Sequence, residues 1–221
     1  MSTISENLQQ IRRDLPEQTT LVAVSKYYPV EAIEEAYAAG QRVFGESRVQ
    51  ELREKAERLP KDIQWHFIGH LQPNKVKYIA PWVSLIHAVD TPKLLAEINR
   101  QGERCQRVIP CLLQLHVAAE ETKYGFTPDE CLQLLEEGLW RTMPYVKISG
   151  VMCMATNTDD EGRIRDDFKT AHHFFKQVKE QYFAHDNDFK ICSWGMSDDY
   201  PIALEEGSTH IRIGTKIFAH T

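Results

Sequence analysis

The chain has 221 residues, 42% hydrophobic and 26% charged, an ordinary globular composition long enough to bury a large core. A net charge of −6 excludes a chain built to grip a nucleic-acid backbone, which needs a basic face. The polar start MSTISENLQQIRRDL predicts no secretory leader, and no apolar run reaches the roughly 20 residues that span a bilayer, so a cytoplasmic protein with no membrane partner is expected.

Residues 1–19 read as an extra helix packed against the rest of the chain. The run TLVAVS, residues 20–25, is continuously apolar and suits a strand buried on both faces. A helix over 30–39 ends naturally at Gly40. A short strand at 42–44 precedes a helix whose Val49, Leu52, Ala56 and Leu59 form one apolar stripe. QWHFI, 64–68, is the third strand, followed by a helix near 74–79 and a fourth strand at 83–88. Thr91 and Pro92 read as cap and first residue of a helix closed by Gly102.

The fifth strand covers 108–117. TPDE at 127–130 is a capping box with proline at its first helical position, and that helix stops at Gly138. A sixth strand at 146–152 leads to a long amphipathic helix over 160–182. The seventh strand is 190–193, a short helix runs from about 199 to Gly207, and the eighth strand is 210–213.

Eight strands, each separated from the next by a helical segment, argue a parallel sheet. Eight such units in about 200 residues argue closure into a (β/α)8 barrel of the TIM type, an α/β fold. One barrel domain over 1–221, with 1–19 as a helical extension, is therefore expected; an open doubly wound sheet is the alternative architecture. The five cysteines are odd in number and lack any CxxC pair, which predicts free, buried thiols and no metal site.

In such a barrel the chemistry sits where strands end and loops begin at the C-terminal face. Lys26 follows the first strand; apolar walls would strip its hydration and free the amine to attack carbonyls. The bland alternative is a surface lysine beside a strand. SWGMSDD follows the seventh strand and RIGT closes the eighth, the two positions where barrels of this kind bind phosphate. Ser197 and Thr215 offer hydroxyls, Gly214 lets backbone approach, and the helix after Ser197 points its positive end inward. Asp198 and Asp199 would repel an anion and read as residues that start that helix. Gly45-Glu46-Ser47 after the second strand, and His66 with Gly69-His70, rank lower, packing and turn roles being equally open to them. HExxH, Walker A and GxSxG patterns do not occur.

AVSKYYP, FGESRVQE, WHFIGHLQPNK, GVMCMAT, GMSDDYPIAL and RIGTKIF follow one another in order. From about residue 21 to 218 the chain closely resembles the pyridoxal phosphate homeostasis protein family. The resemblance implies a pyridoxal 5′-phosphate (PLP) barrel of fold type III, like the N-terminal domain of alanine racemase and usually monomeric. It implies PLP carried as an internal aldimine on Lys26, phosphate held by Ser197, Gly214 and Thr215, and Arg212 beside the pyridine nitrogen. Two departures stand out: Ser47 occupies a position that is asparagine in many members, and Ala219 one that is often glycine. The expected function is PLP binding and vitamin B6 homeostasis without catalytic residues, with free amino acids and PLP-requiring apoenzymes as candidate partners. One rival is a PLP-dependent racemase or decarboxylase, which would bring a C-terminal β-domain that this chain is not expected to carry. The other is a cofactor-free phosphate-sugar barrel enzyme.

Overall fold

The computed structural model describes residues 3–120 and 122–219. Eight parallel strands close into a barrel in sequence order: β1 (Thr20–Val24), β2 (Val43–Glu46), β3 (Gln64–Phe67), β4 (Val83–Val89), β5 (Ile109–Leu115), β6 (Val146–Cys153), β7 (Ile191–Ser193) and β8 (His210–Ile213). The ring closes where β1 pairs with β8, Leu21 opposite Ile211 and Ala23 opposite Ile213. The expected (β/α)8 barrel is therefore the observed fold, and the open sheet is not.

The outer ring contains α2 (Val30–Ala38), α3 (Val49–Arg58), α5 (Pro92–Cys105), α6 (Pro128–Glu137) and α7 (Glu161–Tyr182), with short helices α4 (Val76–Ile79) and α8 (Tyr200–Glu205). We number the N-terminal helix α1 (Thr3–Asp14) and the last helix α9 (Thr215–Phe218). The main core lies between strands and helices, and Phe44, Phe67, Phe168 and Trp194 are among its largest fully buried side chains. Helix α1 adds Ile4, Leu8 and Ile11 to it, and Asn7 donates to the Ile217 carbonyl at 3.0 Å, tying α1 to α9. Among the described residues no helix is long and apolar enough to cross a membrane. All five cysteines are free; Cys111, Cys131, Cys153 and Cys192 are buried, and burial raises the pKa of each.

Local signals predict most boundaries. Thr91 accepts from the Leu94 N–H, and Thr127 with Glu130 forms the complete capping box. Gly102 does not stop its helix. Helix α5 runs three residues further and ends with Gln106 in the left-handed region at φ 52°. Gly102 is small for another reason: a Cβ there would lie 2.7 Å from both the Arg107 and Tyr145 carbonyl oxygens. Strand β2 also runs past Phe44, because Gly45 leaves room for the Val22 and Ile68 side chains, which a Cβ would meet at 2.9 and 3.2 Å. Lys26 is not a strand residue. Strand β1 ends at Val24, and Lys26 lies in the turn beyond it.

Strand β6 carries the tightest packing. Its register against β5 slips at Ser149, so Ile148 faces Cys111 and Gly150 faces Leu112. Gly150 adopts φ 153°, and a Cβ there would sit 1.9 Å from the Ile191 carbonyl oxygen. Neither the conformation nor the space admits a side chain. Gly150→Ala is expected to cost at least about 3 kcal/mol through steric overlap and backbone strain. Urea unfolding of the two proteins measures it; a loss under about 1 kcal/mol would mean that β6 and β7 separate easily.

Candidate functional site

The loops at the C-terminal ends of β7, β8 and β1 meet. The Thr215 hydroxyl donates to the Ser197 hydroxyl at 3.1 Å, so the two loops expected to share an anion touch at the expected side chains. Gly195, at φ 92°, turns the first loop where a Cβ would strike Ala203 at 2.6 Å. The Arg212 N–H then donates to the Gly195 carbonyl at 3.0 Å and fixes that loop to β8. Gly214 lies against the end of β1, where a Cβ would come within 3.2 Å of the Val24 carbonyl oxygen. Tyr28, two residues after Lys26, stacks on Phe218 of α9 with centroids 4.8 Å apart. The turn bearing Lys26 and the turn bearing Thr215 are thus packed as one unit.

The two aspartates after Ser197 are placed differently. Asp199 is buried and precedes α8, but it does not cap it. Its carboxylate turns back and accepts from the Met196 N–H at 2.5 Å. Burial raises its pKa, against the pull of that hydrogen bond and of Arg212. Asp198 stays exposed to water.

Arg212 lies inside the barrel, 4% exposed. Its Nη1 donates to the Ser193 carbonyl at 2.8 Å and hydroxyl at 2.6 Å, and its Nη2 to the Cys153 carbonyl at 3.0 Å. The Ser193 hydroxyl lies 2.8 Å from His87 Nδ1, and His87 Nε2 lies 2.9 Å from His66 Nδ1. Strands β4 and β7 are not neighbours, so the His87–Ser193 bond crosses the interior. His210 completes the group, its ring 6.1 Å from that of His66.

A guanidinium can only donate. The Ser193 oxygen therefore accepts from Arg212, and with a second lone pair and one proton of its own it can meet His87 Nδ1 in either imidazole tautomer. Both rings are neutral: burial pushes the His66 pKa down to about 3 and lowers that of His87 well below its ordinary value. His210 is pushed down to about 4, by burial first and then by Arg212.

Lys26 is half-buried at the mouth, its Nζ 5.8 Å from the Tyr27 ring centre. Ser47 follows β2 with its backbone against Gly69, where a Cβ would lie 2.5 Å from the Ser47 carbonyl oxygen. It lines a cleft of about 560 Å³ with Arg48, Arg53, His70 and Lys75. Among the described residues it has no hydrogen bond to Ser197, Thr215 or Arg212. His66 is linked to Arg212 only through His87 and Ser193. The sequence reading missed His87 and His210, and took in Ser193 only as the first residue of SWGMSDD. Its one usable signal was alternation: His210 and Arg212 stand two apart in an apolar strand, so both face the interior and need partners.

The chain is thus a parallel eight-stranded α/β barrel of the class that carries paired hydroxyls after β7 and β8, a buried arginine in β8 and a lysine after β1. The family profile described as alanine racemase, N-terminal domain, matches residues 1–221. Solved alanine racemases share the fold alone: that of Clostridium difficile superposes with a TM-score of 0.74 at 15% identity, over 99% of this chain and 56% of that one. Within that class the chain belongs to the pyridoxal phosphate homeostasis protein family. The protein of that name from Pasteurella multocida is 35% identical over 98% of this chain and 97% of its own. PipY of Synechococcus elongatus, solved without PLP, has a TM-score of 0.91 at 35% identity over 98% of this chain and 100% of that one. Its structure with PLP bound gives 0.88 at 34% identity over the same shares.

The buried imidazoles predict a pH dependence of stability. Their folded-state pKa values lie below the unfolded value of about 6.5, so the unfolded chain binds more protons below that pH. Their contribution is complete above about pH 6.5 and is lost as pH falls from there toward 4. In urea unfolding between pH 7.5 and 5, His66→Gln should flatten the slope of stability against pH by roughly 0.6 proton per molecule on average, approaching about one at pH 5. An unchanged slope would mean that His66 is protonated in the folded protein.

Proposed function

We propose that this chain binds PLP through a covalent bond to Lys26 and holds it for delivery, as a cytoplasmic monomer acting in vitamin B6 homeostasis. The observation that carries the reading is the meeting of Ser197 and Thr215 at 3.1 Å, packed beside the turn of Lys26. A phosphate ester accepts from several donors at once, and two hydroxyls on glycine-bearing turns fit it. Arg212 fits the far side of the cofactor. Two of its nitrogens are bonded to protein, while its Nε–H has no protein partner among the described residues and suits an acceptor such as a pyridine nitrogen.

Lys26 supplies the amine that condenses with the cofactor aldehyde, releasing water as the carbon–nitrogen double bond forms. An incoming amine, such as an amino acid, would take over the bond to that carbon and free the Lys26 amine, which suits transfer to a PLP-requiring apoenzyme. Ser47 would contact the cofactor from the loop after β2, and His66 would act through His87 and Ser193. Bound cofactor would supply an electron sink, but a permanently charged guanidinium beside the ring nitrogen disfavours its protonation and weakens that sink. This favours holding over turnover. The names of the curated relatives support the homeostatic role. The net charge of −6 supports the absence of a nucleic-acid partner.

Three measurements test the reading. Borohydride added to the PLP-loaded protein should fix the cofactor on the peptide containing Lys26; label on another lysine overturns the assignment. Ser197→Ala with Thr215→Ala should weaken PLP binding by about tenfold or more, since each charge-assisted bond contributes roughly 1.5–3 kcal/mol. Pyridoxal lacks the phosphate and should be little affected; equal losses would show that these hydroxyls do not read it. With a panel of L- and D-amino acids, racemisation, decarboxylation and transamination should all stay slower than about 1 s⁻¹. Faster turnover would make the protein an enzyme.

A further inference from the structure

The turn that carries Lys26 is clamped from one side. The Ser25 carbonyl accepts from Lys55 Nζ at 2.9 Å, and the Tyr27 N–H donates to Glu51 Oε2 at 2.8 Å. Those two peptide groups bracket Lys26, and its φ and ψ are the rotations between them. With both planes held, the direction of its Cα–Cβ bond is set. Lys55 places its three protons on the Ser25 carbonyl, on Glu46 Oε1 at 2.8 Å and on Glu51 Oε2 at 3.1 Å. The Ser25 hydroxyl donates to the same Glu46 oxygen at 2.6 Å. Glu46 is fully buried and Lys55 only 6% exposed, so their ion pair is shielded from water, while Glu51 stands at its solvent edge. Helix α3 supplies Lys55 and Glu51 one turn apart, and β2 supplies Glu46.

The held conformation is one the chain would not adopt freely. Tyr27 has φ 69°, a left-handed geometry that a residue with a side chain enters only at an energetic cost. The Arg48 guanidinium lies 4.6 Å from the Tyr27 ring centre and helps to retain it. A free turn would relax, and Lys26 would sample other directions.

We propose that Lys55 and Glu51, with Glu46 behind them, are positioning residues that aim the Lys26 amine at the cofactor aldehyde. They touch neither cofactor nor reacting atoms. The inference rests on the covalent role of Lys26 proposed above. Reaction needs near-attack geometry, and small misplacements slow it steeply.

The test separates bond formation from ligand binding. 4′-Deoxypyridoxine 5′-phosphate has the ring and phosphate but no aldehyde, so its affinity reads the site without Lys26 chemistry. Glu51→Ala removes the hold on the Tyr27 N–H. It should slow the appearance of borohydride-reducible PLP at Lys26 by about tenfold or more, while affinity for the deoxy ligand stays within about twofold. Glu51→Gln keeps an acceptor in place and should restore most of the rate. Lys55→Met alone would strand the buried Glu46 charge, so it is made together with Glu46→Gln and should show the same split. If rate and deoxy-ligand affinity fall together, or neither falls, the clamp is only structural and the proposal is overturned. Wild-type protein that forms no reducible bond at Lys26 overturns both this proposal and the covalent reading it rests on.

Discussion

A guanidinium inside a barrel cannot shed its charge and cannot accept a hydrogen bond, so everything around it must turn an acceptor toward it. Arg212 imposes that condition here. It takes the Ser193 and Cys153 carbonyls, the Ser193 hydroxyl and, through that hydroxyl, two imidazoles on β3 and β4. TIM-type barrels ordinarily fill this space with branched apolar side chains. In this chain a small apolar cluster of Leu85, Ala88, Leu112 and Met152 occupies part of the interior, and a polar group occupies the rest. Burial keeps the imidazoles neutral, so the interior holds one charge with ordered dipoles around it.

The two sides of the mouth are built differently. After β7 and β8 the backbone makes close turns on Gly195 and Gly214, and the hydroxyls stand on those turns. After β1 a clamp of charged side chains from β2 and α3 holds the turn from outside. The first side is shaped by the absence of side chains and the second by their bonding. Stacking of Tyr28 on Phe218 joins the two.

Most of the fold was legible because local signals and global packing agreed. Alternating strand and helix patterns, the Thr91 and Thr127 caps and the stop at Gly138 each follow from short-range physics. Gly102 and Gly45 misled because their small size answers distant neighbours: the Arg107 and Tyr145 carbonyls in one case, Val22 and Ile68 in the other. The same distinction divides the site. Ser197, Gly214, Thr215 and Lys26 stand at strand ends that barrel geometry marks as functional. His87 and Ser193 are single polar residues inside apolar runs, 106 positions apart, and only closure of the sheet makes them partners. Lys55 looks like any helix lysine until its helix is laid over the first turn.

The buried thiols carry a consequence of their own. Only the thiolate reacts readily with oxidants and alkylating agents, and Cys111, Cys131, Cys153 and Cys192 are kept protonated by the apolar layers around them. Cys153 and Cys192 lie on β6 and β7, the strands that deliver a carbonyl and a hydroxyl to Arg212. Sulfur at those positions occupies volume without offering chemistry. Oxidative stress in the surrounding medium therefore finds no handle near the arginine, and the half-buried Cys105, at the end of α5, is the thiol left for it to meet.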